Sequence, residues 1–333
     1  MTEKERVLSA LNHIQPDTVP YQLDLTDLVY QRLQGYFGDE GFFAKTGSHL
    51  AQERNESFEE ISETEFRDMF GVLWSREQEG DFGIVRGRVL KDASLDGYAF
   101  PEPDDALIRE KCGRLAAQQD KFTMYIVGFS LFERAWTLRG FNEILMDFLL
   151  EKRFANELLD KIVEYNLKVV DIAASYDIDC IFFGDDWGQQ RGLIMGPHVF
   201  KEFILPRQKL MYDYVKSKGM YVAQHSCGDI REVFGSLVDA GMDIYNTFQP
   251  EIYDVSAMKR EYGQSVTFYG GISTQRLLPF GSPDDVRRET KEMMDIVGRG
   301  GGYIAAPTHS IPNDVPTENI LAFLDTVQGQ RVF

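Results

Sequence analysis

His225 and Cys227 stand two residues apart in His225-Ser226-Cys227-Gly228-Asp229. The apolar run Gly219-Met220-Tyr221-Val222-Ala223 precedes them, and Ile230-Arg231-Glu232-Val233-Phe234 follows with helical spacing. Residues two apart on an extended backbone point the same way, so an imidazole and a thiol are presented together at a strand end. Zinc takes such nitrogen and sulfur donors. A second imidazole, His309 in Pro307-Thr308-His309, also follows an apolar run, Gly302-Tyr303-Ile304-Ala305-Ala306. The chain has five histidines and three cysteines, and three of these residues sit just past strand ends. Two readings stand side by side. In one, His225, Cys227 and His309 form a three-ligand zinc site with an open position, the catalytic arrangement. In the other, His225 caps the following helix and Cys227 packs as a small buried hydrophobe.

The segments after the other apolar runs are also polar. Asp185-Asp186 lies in Gly184-Asp185-Asp186-Trp187-Gly188-Gln189-Gln190. Adjacent side chains on an extended backbone diverge, so one carboxylate is expected to face the site as a fourth ligand, an orienter or a catalytic group. The other is expected to cap a loop or pair with Arg191. Asn246 and Gln249 end another run, and Trp187, Gln189 and Tyr269 are candidate pocket residues. Asp68, beside an aromatic-rich run ending at Trp74, is expected to fold over the same opening. His13, His49 and His198 have no motif context and are expected at the surface or at caps.

Strand-like runs at 122–129, 179–184, 220–225, 243–246, 265–269 and 303–306 alternate with helical patterns near 141–152, 154–176, 197–218, 230–240, 255–262, 283–297 and 316–328. Ser282 is a good N-cap for the helix at 283. Uncharged strands alternating with helices predict a parallel sheet covered by helices. Further strands near 19–23 and 84–89 bring the count to eight. The expected fold is therefore α/β, a (β/α)8 TIM barrel forming one domain over 1–333. About 1–120 is expected to form irregular N-terminal helical elaborations, and about 121–330 the regular βα units. An open doubly wound sheet is the alternative.

The chain has 333 residues, is 43% hydrophobic and 26% charged, and carries a net charge of −18. The acidic surface disfavours nucleic acid. No apolar run is long enough for a membrane helix, the charged N-terminus is unlike a secretory signal, and three cysteines make no disulfide framework. A cytoplasmic location is expected. Gly-x-Gly-x-x-Gly, Walker and Gly-x-Ser-x-Gly motifs are absent from the sequence.

The motifs around Asp185-Asp186, His225-Ser226-Cys227-Gly228 and Phe268-Tyr269-Gly270-Gly271-Ile272-Ser273 resemble the uroporphyrinogen decarboxylase superfamily. So does the stretch from Ala306 through Pro307-Thr308-His309 to Ile320. The resemblance covers most of the chain and implies a TIM barrel with a cleft at one mouth. True decarboxylases in the superfamily grip propionates with an arginine-rich N-terminal segment. Val19-Pro20-Tyr21-Gln22-Leu23-Asp24-Leu25 has no arginine. The His-x-Cys instead resembles the cobalamin-linked methyltransferase branch, with His309 where thiol-methylating members carry a cysteine. That branch implies zinc, a small-molecule methyl donor or acceptor, and a corrinoid carried by a separate partner protein. Porphyrinogen decarboxylation and a non-catalytic binding subunit are the alternatives.

Overall fold

The structure, a computed structural model, describes residues 1–38, 41–42, 46–76 and 83–330. The chain forms two compact units. A central unit takes residues 52–117 and 124–241, and a terminal unit takes 1–51, 118–123 and 242–333. Each is α/β with parallel strands.

In chain order the strands reaching into the central unit are β1 (Leu50–Arg54), β2 (Phe58–Glu60), β3 (Glu65–Asp68), β4 (Leu73–Ser75), β5 (Ile84–Arg86), β6 (Phe122–Val127), β7 (Cys180–Gly184), β8 (Gly188–Gln189), β9 (Gly192–Leu193) and β10 (Tyr221–His225). β6, β7 and β10 pair in parallel, with Met124 opposite Cys180 and Cys180 opposite Tyr221. β6 and β7, Phe-Thr-Met-Tyr-Ile-Val and Cys-Ile-Phe-Phe-Gly, carry no charge and are almost wholly buried, as strands covered on both faces must be. The helix Lys152–Ala173 buries one stripe, including Leu158, Leu159, Ile162 and Val170, and leaves the rest to solvent. Phe148 meets Phe203 at 4.8 Å and Trp187 meets Phe200 edge-on at 5.0 Å in the core.

The region before residue 120 has the helices Glu3–Leu11, Asp27–Phe37 and Asp105–Ala116 that the sequence leads one to expect, but β2 to β5 add an unexpected four-stranded antiparallel sheet. Ile84–Arg86 belongs to it: Leu73 lies opposite Arg86 in an antiparallel pair. The parallel barrel strand expected at 84–89 is therefore replaced by a hairpin strand. The physical reason lies at Asp68. Its carboxylate accepts from the amides of Phe70 (2.9 Å) and Val72 (3.0 Å), which closes a tight turn and fixes the register of β3 against β4.

The terminal unit holds β11 (Ile244–Thr247), β12 (Thr267–Ile272) and β13 (Tyr303–Pro307), also parallel, with Tyr245 opposite Phe268 and Phe268 opposite Tyr303. The strand expected near 19–23 is reduced to a single bridge between Tyr21 and Ala305. Pro20 contributes only a carbonyl, accepting from Ala305 N–H at 2.8 Å, and cannot continue a ladder as donor. The helix Pro283–Val297 begins as the sequence predicts, with Ser282 and Asp285 forming a capping box. His49 departs from expectation. It is 2% exposed, with its ring edge-on to Tyr21 at 4.7 Å. His198 is exposed, as expected. Among the described residues, no helix is long and apolar enough to cross a membrane.

Candidate metal centre

β7 and β10 run side by side and end in register, His225 opposite Gly184. The loops beyond them are locked together by the Asp185 amide donating to the His225 carbonyl (3.1 Å) and the Asp229 amide to the Gln189 carbonyl (2.9 Å). The Trp187 amide donates to Ser226 Oγ (3.0 Å). Gly188 is needed for this approach: a Cβ there would lie 2.6 Å from the Cys227 carbonyl oxygen and 2.7 Å from the Asp229 nitrogen. Gly228 meets Gly188 from the other side with φ +77°.

On this frame the ligand atoms of Asp186, His225 and Cys227 all lie within 4.8 Å of one another. His225 Nε2 is 3.4 Å from Cys227 Sγ and 3.4 Å from Asp186 Oδ1. Tetrahedral ligands at zinc bond lengths are about 3.6 Å apart for sulfur–nitrogen and about 3.4 Å for nitrogen–oxygen. The donor chemistry and the spacing therefore both fit a zinc ion. Asp186 Oδ1 also accepts the Cys227 amide (2.8 Å), which holds the carboxylate toward the thiol. The His225 and Asp186 side chains are 21% and 34% exposed, so the trio is reachable from solvent.

Asp185 faces the other way and is fully buried. Its carboxylate accepts from the amides of Leu131 (3.3 Å), Phe132 (2.9 Å) and Glu133 (2.7 Å), and from Trp187 Nε1 (2.5 Å). It thus caps the N-terminus of the helix Phe132–Arg139 from another strand, where orphan amides and the helix dipole favour an anion. Asp185's partners are thus a helix N-terminus and the Trp187 indole rather than Arg191.

That cap brings Glu133 to the cluster, a residue the sequence reading did not single out. Burial raises its carboxyl well above the ordinary range, and the charges of Asp186 and Asp185 add to the effect, while its hydrogen bond to the Asp186 backbone and the His225 charge oppose it. Burial also pushes Asp185 up to about 6, against the stabilising amides of Glu133, Phe132 and Leu131 and the Trp187 indole. For Asp186, burial raises the pKa, but hydrogen bonding and charge at His225 and the Cys227 amide outweigh it, and the group stays low. For His225, burial opposes the charge, yet Cys227 and Asp186 together raise it well above the usual value. Burial raises the Cys227 thiol despite His225. An imidazole and a thiol must each be without their ligand-site proton to bind a dication, so metal binding here would displace protons.

The remaining candidates are not among the three residues whose ligand atoms converge. Asp68 is buried in an ion pair with Arg134 (2.5 Å) and a hydrogen bond from Trp74 Nε1 (3.2 Å). Trp187 is core rather than pocket wall, and Gln189 is exposed on β8. Asn246, Gln249, Tyr269 and His309 belong to the terminal unit. There, Asn246 Nδ2 donates to the Tyr269 carbonyl (3.1 Å) and Tyr269 donates its hydroxyl to Asp24 (2.8 Å). His309 follows β13 and is part-buried, and it is not one of the three residues whose ligand atoms converge.

The sequence model of the family described as uroporphyrinogen decarboxylase (URO-D) matches residues 107–330. The chain belongs to the uroporphyrinogen decarboxylase family. The URO-D match spans Glu133, Asp185, Asp186, His225, Cys227 and His309, whereas β1 to β5 precede it. A uroporphyrinogen decarboxylase from Psychromonas ingrahamii is 21% identical over 265 residues, covering 75% of this chain and 72% of that protein. One from Methylococcus capsulatus is 20% identical over 261 residues, with the same coverage. Among solved structures, a methyltransferase from Methanosarcina mazei superposes with a TM-score of 0.76 over 99% of both chains at 16% identity. At that identity the likeness establishes the fold.

Proposed function

We propose that this URO-D chain is a cytoplasmic, zinc-dependent methyltransferase. It would move a methyl group between a small methylated compound and a thiol or a corrinoid carried by a separate protein. The observation that carries this reading is the convergence of one nitrogen, one sulfur and one oxygen donor at zinc-like spacings, part-exposed at the ends of β7 and β10. Three protein ligands leave a position for a substrate atom. The similarity to a methyltransferase fold supports it. The closed (β/α)8 barrel and its single-domain organisation belong to the same proposal, supported by the family match and by the parallel strands of each unit.

Here His225, Cys227 and Asp186 would hold the ion, which supplies Lewis acidity to lower the pKa of a bound thiol or stabilise the anion left when a methyl departs. The chain's own residues do the rest. The Cys227 amide fixes Asp186, Asp185 fixes the helix that carries Glu133, and Glu133, whose carboxyl burial pushes well above the ordinary range, would be the proton donor beside the cluster. A role for His309 is proposed from the sequence alone, and unchanged metal content in His309→Ala would remove it.

Metal analysis of the purified full chain tests the proposal. About one zinc per chain is expected, falling at least about tenfold in affinity in Cys227→Ser. A metal-free wild type that takes up no added zinc would end it. The names of the relatives from Psychromonas ingrahamii and Methylococcus capsulatus support a second reading, porphyrinogen decarboxylation. Carbon dioxide release from uroporphyrinogen I or III would establish that one instead.

A further inference from the structure

Beside the helix that carries Glu133, the central unit contains a cavity of about 80 Å³ that opens to solvent, and the proposed metal chemistry does not use it. Phe58, Phe66, Trp74 and Phe129 contribute rings to its wall, and Arg76 and Arg134 contribute guanidinium groups. The rings are ordered against one another. Phe66 is stacked with Trp74 at 6.3 Å, and Phe58 and Phe129 stand edge-on to Phe66 and Trp74 at 4.9 and 5.3 Å. The antiparallel sheet β2 to β5 supplies three of these rings and Arg76 follows β4, so this sheet, lying outside the URO-D match, builds most of the wall.

The charges define the ligand. Arg134 is buried and its charge is met by Asp68. Arg76 is exposed, lies 4.4 Å over the Phe66 ring, and has no carboxylate partner among the described residues. Arg134 lies 5.6 Å from the Phe129 ring centre. Two of the ring faces are therefore already opposite guanidinium groups, which disfavours a quaternary ammonium competing for them. Glu56 also lines the cavity, but its carboxylate lies 3.8 Å from Arg54. Among the described residues lining the cavity, the guanidinium without a carboxylate is that of Arg76, beside aromatic faces, the chemistry that takes a carboxylate on a flat ring.

We propose that this cavity binds a planar aromatic carboxylate, its ring packed among Phe66, Trp74 and Phe129 and its carboxylate on Arg76. Phe129 and Arg134 flank Glu133 in one segment, so the ligand sits against the same turn that reaches Asp186. Under the methyl-transfer reading, and resting on it, the small methylated compound is then an aromatic one. The binding itself does not depend on that reading.

Isothermal titration of the full chain with benzoate, cyclohexanecarboxylate and tetramethylammonium tests the inference. Saturable benzoate binding is expected, with cyclohexanecarboxylate about tenfold weaker because it cannot stack. Arg76→Gln, an exposed change that leaves the melting temperature in place, should weaken benzoate by about tenfold. Three outcomes overturn it: no saturation by benzoate at about 10 mM, tenfold above a millimolar Kd; equal binding of the saturated acid; or binding of tetramethylammonium in place of benzoate. A chain that binds benzoate yet takes up no zinc would keep this site and remove the methyl-transfer reading.

Discussion

An aspartate pair on an extended segment must send its carboxylates in two directions, and here the two directions are a helix N-terminus and an open cluster. Asp185 satisfies three backbone amides and one indole, buried except for the part-buried Glu133 amide. Removing it leaves four donors without a partner, each costing about 1–3 kcal/mol if it stays dry. Asp185→Ala should therefore lower unfolding free energy in urea by at least about 3 kcal/mol. Asp186→Ala, at a part-exposed carboxylate, should cost about 1 kcal/mol in the metal-free chain and instead abolish tight zinc binding. Equal destabilisation by both changes would contradict this division of roles. The His-x-Cys pair and the divergence of the aspartates were legible because each rests on local backbone geometry. Glu133 was not, because Phe-Glu-Arg-Ala-Trp carries no motif and the residue reaches the cluster only through a cap supplied some 50 residues later in the chain.

At the level of elements, the site depends on two loops touching backbone to backbone at Gly188 and Gly228. A methyl at Gly188 would overlap the Cys227 carbonyl and the Asp229 amide, neither of which can rotate away. Gly188→Ala should therefore cost about 1–3 kcal/mol and, by separating Asp186 from Cys227, weaken zinc by a larger factor than stability loss at a remote site would. Gly38→Ala, with open space around its Cβ, is the comparison for a glycine whose cost is conformational only. Zinc titration of both variants checks it, and equal affinities would show that the loops can move apart without harm. The parallel strands β6, β7 and β10 to β13 were legible as uncharged runs of four to six residues, and the helix at 283 was legible from its Ser282 cap. The sheet β2 to β5 was not. Its strands are three or four residues long and carry charges, as in Glu65-Phe66-Arg67-Asp68, so no apolar period marks them. Their pairing is fixed by turns such as that at Asp68.

For the whole molecule, one buried imidazole sets a pH dependence that the sequence alone pointed away from. His49 is almost wholly enclosed in the terminal unit. Its Nδ1 accepts the Tyr21 amide at 3.4 Å, and among the described residues its Nε2 has no partner. Burial, aided by the positive charge of Arg6, lowers its pKa from 6.5 to about 4. The unfolded chain therefore takes up a proton below about pH 6.5 that the folded chain refuses until about pH 4, and protons bound preferentially to the unfolded state weaken folding. The contribution of neutral His49 is fully present above pH 6.5 and is lost as pH falls toward 4, by about 3 kcal/mol at 1.36 kcal/mol per unit. Carboxylates also titrate in that window, so the test is a difference. Urea unfolding of the wild type and His49→Phe, a buried ring of similar shape with no proton to gain, should diverge on acidification. The wild type should lose about 3 kcal/mol more than the variant between pH 7 and pH 4. Parallel losses would mean that the imidazole is charged in the folded chain and that the pocket around Tyr21 admits enough water to solvate it.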